Sequence, residues 1–137
     1  MGRALGIDFG EKRVGLALSD KSSLIASPYK TIQYISEDEL ISEIEKIVLD
    51  QEIEIFVLGL PLNMKGKDSS QTKKVRHFKK MLSVLDLPIV YEDERFSSIL
   101  AKNSLVLQNV KTGHNKSEID RTAAAIILQQ YLDKNSN

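Results

Sequence analysis

The 137-residue chain has no cysteine, three prolines, two histidines and no net charge at neutral pH. Without cysteine there is no disulfide and no thiolate metal site, and a reducing compartment is compatible. No run approaches the roughly 18–20 apolar residues that a membrane span needs, and the first residues lack the apolar core of a signal peptide. A cytoplasmic protein with no membrane partner is therefore expected. No Walker A sequence is present, and no Ser-His-Asp or Cys-His nucleophile set stands out. Internal repeats and an interdomain linker are also absent. The length suits one domain, 1–137, long enough to bury a real hydrophobic core.

The charge balance conceals a segregation along the chain. Residues 31–60 hold one Lys or Arg against eight Asp or Glu, whereas residues 61–116 hold eleven against five. Two solvated helix faces of opposite sign would account for this. The basic segment would equally serve as a footprint on a phosphate backbone.

Periodicity gives the elements. Residues 4–9 and 13–18 read as strands joined by the turn Gly10-Glu11-Lys12, and a third strand is expected at 29–35, after Ser27-Pro28. A helix begins at Glu37, with Ser36 as N-cap, Glu39 completing a capping box, and Leu40, Ile41, Ile44, Ile47 and Val48 on one stripe. Residues 53–58 form the continuous apolar run of a strand buried on both faces, ended by Gly59-Leu60-Pro61. A polar loop runs to about residue 70. The next helix turns Val75, Phe78, Leu82 and Leu85 inward and Lys73, Lys74, Arg76, Lys79 and Lys80 largely outward. A strand at 88–91, a helix at 97–107, a loop at 109–115 and a last helix from Ser117 complete the pattern, and the tail from Asp133 onward is expected to fray. This order predicts an α/β fold with a mixed five-stranded sheet, an antiparallel meander plus parallel strands, flanked by helices. Sites in such sheets form beyond the carboxyl ends of strands.

Three acids stand at element ends. Asp8 closes the first strand and shares its face with Ala4 and Gly6. Gly15 and Ala17 form a similar small face on the second strand, so that either something approaches the backbone around Asp8 closely or a helix merely packs there. Glu94 ends the run Glu92-Asp93-Glu94, which is either a cap for the following helix or a set of carboxylates in need of a cation. Asp120 lies in line with Ala124, Ile127, Leu128 and Tyr131, where an acid is costly to desolvate. Yet Ser117-Glu118-Ile119-Asp120 also fits a capping box. Three carboxylates without cysteine suit a hard cation, Mg²⁺ or Mn²⁺. Such ions, in pairs, activate water and stabilise the leaving oxygen of a phosphodiester. His77 and His114 read as surface residues. Asp8-Phe9-Gly10 spells the kinase DFG, but neither a glycine-rich loop nor HRD accompanies it. Gly6-Ile7-Asp8-Phe9-Gly10 before a hairpin also resembles the phosphate-binding hairpin of actin and sugar-kinase ATPases, which need two such domains.

Taken together, Gly6-Ile7-Asp8-Phe9-Gly10-Glu11-Lys12-Arg13-Val14-Gly15-Leu16-Ala17, Gly59-Leu60-Pro61-Leu62-Asn63-Met64 with Gly66, Asp93-Glu94-Arg95-Phe96-Ser97-Ser98, and Asp120 with Ala123-Ala124-Ala125 resemble the YqgF/RuvX family of Holliday-junction-resolvase-like and pre-16S rRNA nucleases. Phe96 stands where leucine is usual, and Lys65 where the family often has aspartate. The resemblance implies an RNase H-like fold and a Mg²⁺-dependent (or Mn²⁺-dependent) nuclease cutting structured nucleic acid, pre-16S rRNA or branched DNA. Asp8, Glu94 and Asp120 map onto the family's metal-binding acids, with Asp93 as an alternate ligand. Lys12, Arg13 and Arg95 would orient phosphates, and Lys73, Lys74, Arg76 and Lys80 would hold substrate backbone. A non-catalytic RNA-binding module and a nucleotide-handling ATPase relative are the competing readings. RNA against branched DNA, and monomer against homodimer, stay open at this level.

Overall fold

In the computed structural model, which describes residues 2–94 and 116–135, the chain folds around one five-stranded sheet. The strands are β1 (Arg3–Phe9), β2 (Arg13–Ser19), β3 (Ala26–Gln33), β4 (Ile53–Leu60) and β5 (Ile89–Asp93). The helices are α1 (Glu37–Gln51), α2 (Ser70–Leu82) and α3 (Lys116–Asn135), with a 3-10 turn at Ser83–Leu85. Spatial order is β3-β2-β1-β4-β5. The first three strands form an antiparallel meander, and β4 and β5 run parallel to β1. Strands and loops thus reproduce the mixed sheet that periodicity predicts. Among the described residues no helix is long and apolar enough to cross a membrane.

Several boundaries move, each for a local reason. β3 starts at Ala26 and includes Pro28, which an edge strand tolerates because its outer N–H groups need no partner. Gly59 and Leu60 belong to β4 instead of ending it, and pair with Glu92 and Asp93, which belong to β5. Ser36 caps α1 by accepting the Glu39 N–H, and Glu52 closes the helix in the left-handed region, its N–H donating to the Val48 carbonyl. At α2 the capping box is reciprocal, between Ser69 and Thr72. The expected fraying from Asp133 is not seen up to Asn135: helix α3 continues that far, and Lys134 is bonded to Glu92. The helix expected at 97–107, the loop at 109–115, His114 and Arg95 lie outside the described residues.

Alternation along the strands divides the core in two. On one face Leu5, Ile7, Val14, Leu16, Phe56 and Leu58 are buried beneath α1 and α2, with Phe78 stacked on Phe9 at 4.4 Å between centroids. Each large side chain so buried is worth roughly 1.5–3 kcal/mol. On the other face Ala4, Ala17 and Val57 meet Ala124, Ile127 and Leu128 of α3. Here the residues are small, and the helix lies close to the strand backbones. Side chains pin it along its length. Thr31 donates to the Ser117 carbonyl (2.6 Å), Arg13 to Asp120 (2.7 Å), Gln129 to Leu24 O (3.0 Å) while accepting from Ala26 N (2.9 Å), and Lys134 to Glu92 (2.7 Å).

Candidate functional site

The small faces of β1 and β2 coincide, because the antiparallel register sets Asp8 opposite Gly15 and Gly6 opposite Ala17. What approaches them is α3. A Cβ on Gly15 would overlap the Asp120 backbone, and one on Gly6 would meet Leu128 and the Ala124 carbonyl. Helix packing and site building, posed as alternatives by the sequence, are one event: the helix that fills the shaved surface carries Asp120 to Asp8.

The other side of Asp8 repeats the device. Ile7 pairs with Leu58, so the register carried one residue further sets Asp8 beside Gly59. A Cβ there would overlap Oε2 of Glu94. Glycine thus leaves room for the Glu94 side chain to lie across β4 and hydrogen-bond Asp8. The Glu94 N–H donates to the Leu60 carbonyl at 3.2 Å, extending the β4–β5 ladder one step and fixing where the carboxyl projects. In the sequence Gly59 reads as a strand terminator and as part of a family motif, not as a neighbour of Glu94. Its signal was its place at the carboxyl end of an apolar parallel strand, beside a strand ending in acid.

The acidic run is dispersed by the pleat. Glu92 and Glu94 face α3, but Glu92 is buried and held by Lys134 through both carboxylate oxygens (2.7 and 2.9 Å). Asp93, between them, adds repulsion that raises the Glu94 pKa.

Electrostatics single out Asp8 and Glu94. Burial, then the charge of Asp8, push Glu94 up to about 9. Burial also raises Asp8, to about 6, with the charge of Asp120 adding to it and the hydrogen bond from Glu94 opposing it. Near neutral pH the pair accordingly holds a proton between its carboxyl groups, Glu94 donating to Asp8. Two carboxyls that cannot both ionise unaided are where a divalent cation would substitute for a proton.

Asp120 stands differently. It lies inside α3 with Ser117, so it does not cap the helix, and its Oδ2 accepts from Arg13 Nε at 2.7 Å. Among the described residues no three such side chains form a closed metal cluster. The fit is therefore two oxygen donors already joined, with the third, Asp120, near enough to act on Asp8 by its charge and turned to a guanidinium.

The basic residues divide as well. Lys12 and Arg13 border a groove beside the hairpin. Lys73 and Lys74 border a cleft floored by Phe9, and Lys74 is ion-paired with Glu11. Gln71 donates to the Phe9 carbonyl at 3.2 Å, holding the start of α2 against the end of β1. Arg76 is occupied by Asp68, with two bonds of 3.0 Å, and lies 5.4 Å from the centre of the Tyr91 ring. Lys80 is exposed. Arg76 thus anchors the loop after β4, and Lys12, Lys73 and Lys80 present their charge to solvent.

A family model described as RuvX, Holliday junction resolvase, matches residues 2–134. A protein of Trichormus variabilis named "Putative pre-16S rRNA nuclease" is 43% identical over 131 residues, 95% of this chain and 87% of its own. One of the same name from Caldanaerobacter subterraneus is 42% identical over 137 residues, 98% of this chain and 99% of its own. Among solved structures, the Thermus thermophilus RuvC complex with a Holliday junction substrate superposes with a TM-score of 0.60 at 10% identity, covering 96% of this chain and 94% of that one. That likeness establishes the RNase H-like fold of the resolvases.

Proposed function

The chain belongs to the RuvX family of Holliday junction resolvases, and from that premise we propose that it is a metal-dependent endonuclease of structured nucleic acid that trims the 5′ end of pre-16S rRNA in the cytoplasm. The observation that carries this reading is the Asp8–Glu94 carboxyl pair at the carboxyl ends of β1 and β5, kept from full ionisation by burial and mutual repulsion.

Asp8 and Glu94 would hold the cation, Mg²⁺ or Mn²⁺, through oxygen donors alone. Asp120 would join as third ligand beside its bond to Arg13, and Asp93 would act on the pair by its charge. When bound, the metal supplies an activated water and charge stabilisation at the leaving oxygen. The chain's own residues do the rest. Glu94 would lose its proton to solvent where a cation is held. Arg13 keeps four Nη hydrogens after its Nε bond to Asp120, enough to grip a phosphate in two places. Lys12 and Arg95 would orient neighbouring phosphates. Lys73 and Lys80, with Lys74 and Arg76 when they leave their intramolecular partners, would hold the backbone further out.

The choice of rRNA rests on the names of relatives similar over nearly their whole length. A second reading, cleavage of branched DNA, follows from the description of the family model. Incubating the protein with a precursor rRNA end and with a four-way DNA junction, each with Mg²⁺ and with chelator, decides between them. Cleavage of the RNA alone, abolished by chelator, is expected. Cleavage of the junction alone would transfer the assignment to DNA, and cleavage of neither would remove the nuclease reading.

A further inference from the structure

The sheet face opposite the carboxylates carries a cleft whose apolar lining has no part in the proposed reaction. It has a volume of about 500 Å³, within the range of sites that hold small ligands, and Phe9, Tyr34 and Ile35 are apolar residues of its lining. A groove of about 480 Å³ shares Tyr34 and Ile35 with it and reaches Lys12 and Arg13. Arg13 is bonded to Asp120. A path of lining residues therefore runs from Arg13, the partner of Asp120, past Lys12 to Tyr34 and Ile35, which the groove shares with the cleft.

Two features mark this path as built to receive something flat and apolar. The Tyr34 hydroxyl donates to the Gly10 carbonyl at 2.7 Å, and its ring lies 6.3 Å from that of Phe9, which is itself stacked on Phe78. The tyrosine is thus held as a rigid platform. Ile35 precedes the N-cap Ser36, the position from which a hydrophobic staple would reach Leu40. Leu40 is wholly buried, yet Ile35 is 96% exposed. The residue placed to staple the helix is instead displayed along the path.

Charge around the apolar floor fits a phosphodiester strand. Of the lining acids, Glu11 is paired with Lys74, and Glu37 lies 3.5 Å from His77. Lys73 in the cleft and Lys12 in the groove are exposed cations, and Glu39 also lines the groove. Aromatic platform, apolar neighbour and flanking lysines are the parts of a single-strand binding site, where bases stack and the backbone tracks positive charge.

We propose that this cleft receives a single-stranded segment of the nucleic-acid substrate, one base resting on Tyr34 and Ile35 with its phosphates toward Lys12 and Lys73. The proposal builds on the nuclease reading and names its substrate class: a strand unpaired beside the cut, not a blunt duplex. Binding is measured with chelator present, so cutting does not intervene. The probes are a labelled uridine oligomer of about ten nucleotides, in the size range of such sites, and a blunt RNA duplex. Ile35→Asp and Lys73→Glu alter exposed side chains and are expected to keep the wild-type melting temperature. Each is expected to weaken oligomer binding about tenfold, the loss of a base stack or of a phosphate contact, and Ile35→Asp, which removes no cation, is expected to change duplex binding less than twofold. Equal loss on both probes in Ile35→Asp, no loss of oligomer binding in either variant, or failure of the wild type to bind the oligomer would overturn the proposal. Cleavage assays with Mg²⁺ separate the two claims. Oligomer binding through the cleft without any cleavage would sink the nuclease reading alone, and cleavage with both variants indifferent would sink the cleft alone.

Discussion

The two faces of the sheet are made by the same strands and solve opposite problems. Beneath α1 and α2, every second residue is large and apolar, and the strands are separated from the helices by interlocking side chains. Against α3, the matching positions are Ala4, Gly6, Asp8, Gly15, Ala17 and Gly59, and backbone approaches backbone. The first face stores stability. The second gives up apolar area, and hence about 25 cal/mol for each Å² not buried, to bring carboxyls from three elements to one place. Polar pins along α3 offset part of that loss. Stability and site are thus separated across a layer one strand thick, which predicts that substitutions on the two faces have different signatures.

The sharpest separation is expected at Asp8. Asp8→Asn should cut Mg²⁺-dependent cleavage at least a thousandfold, a loss of about 4 kcal/mol or more in transition-state stabilisation. The metal-free protein should melt at the same temperature or a few degrees higher, because an acid that burial disfavours is gone. A variant that cuts normally or fails to fold would break the distinction. Phe56→Ala is the converse. Its ring is fully buried under α1 and α2, so a cost of about 3–5 kcal/mol is expected in denaturant unfolding, with cleavage per folded molecule near wild type. Gly15→Ala lies between. Its Cβ collides with the Asp120 backbone, not with a movable side chain, and α3 must shift. A destabilisation of about 1–3 kcal/mol together with a large loss of cleavage is expected, since Asp120 moves with its helix. Loss of stability without loss of cleavage would mean that the placement of Asp120 is not critical.

How much of this was legible in the sequence follows the same division. Large apolar residues at period 2 and 3.6 announce themselves, so the sheet, its mixed topology and helices α1 and α2 were readable from pattern alone. The small face was half readable. Gly6, Gly15 and Ala17 showed that something comes close, but only the register shows that it is α3, and nothing local ties Gly59 to Glu94. Asp120 fitted a capping box because that pattern records spacing, and spacing cannot tell that Arg13, 107 residues away, holds the carboxylate. Charge on α2 reads as outward, and Arg76 does lie at the surface, but spacing cannot tell that Asp68 and Tyr91 stand around it.

The carboxyl pair also gives the faces different responses to pH. Asp8 and Glu94 bind protons more tightly folded than unfolded, their values being raised to about 6 and about 9. Their contribution is fully present below the unfolded values near 4 and is lost as pH rises through the folded ones. Stability of the metal-free protein should therefore decline between about pH 4 and pH 9. Added Mg²⁺ should raise the melting temperature more at pH 8.5 than at pH 5.5, because the ion replaces the proton. Each 1 kcal/mol corresponds to roughly 3–5 °C for a domain of this size. In Asp8→Asn both the slope and the metal response should flatten, whereas Phe56→Ala should lower the whole curve and keep its shape. A metal response independent of pH would show that the pair is not where the ion binds.

The smallest effect is expected at the far end of α3. The side chain of Glu92 is 5% exposed and both its oxygens accept from Lys134, whose own side chain is 67% exposed. The value of this pair lies in the glutamate, which is buried, and not in the lysine. Lys134→Met should leave the Glu92 carboxylate without its cation and cost about 1–3 kcal/mol. Glu92→Gln with Lys134→Met should recover most of it, because a neutral amide is cheaper to bury than an unpaired charge. A double-mutant cycle in urea measures the coupling directly. Cleavage should hardly change in either variant, since Thr31, Arg13 and Gln129 still pin the helix nearer the carboxyls. If Lys134→Met instead reduced cleavage as much as Gly15→Ala does, α3 would act as a rigid lever over its whole length, and seating it at one end would set the site at the other.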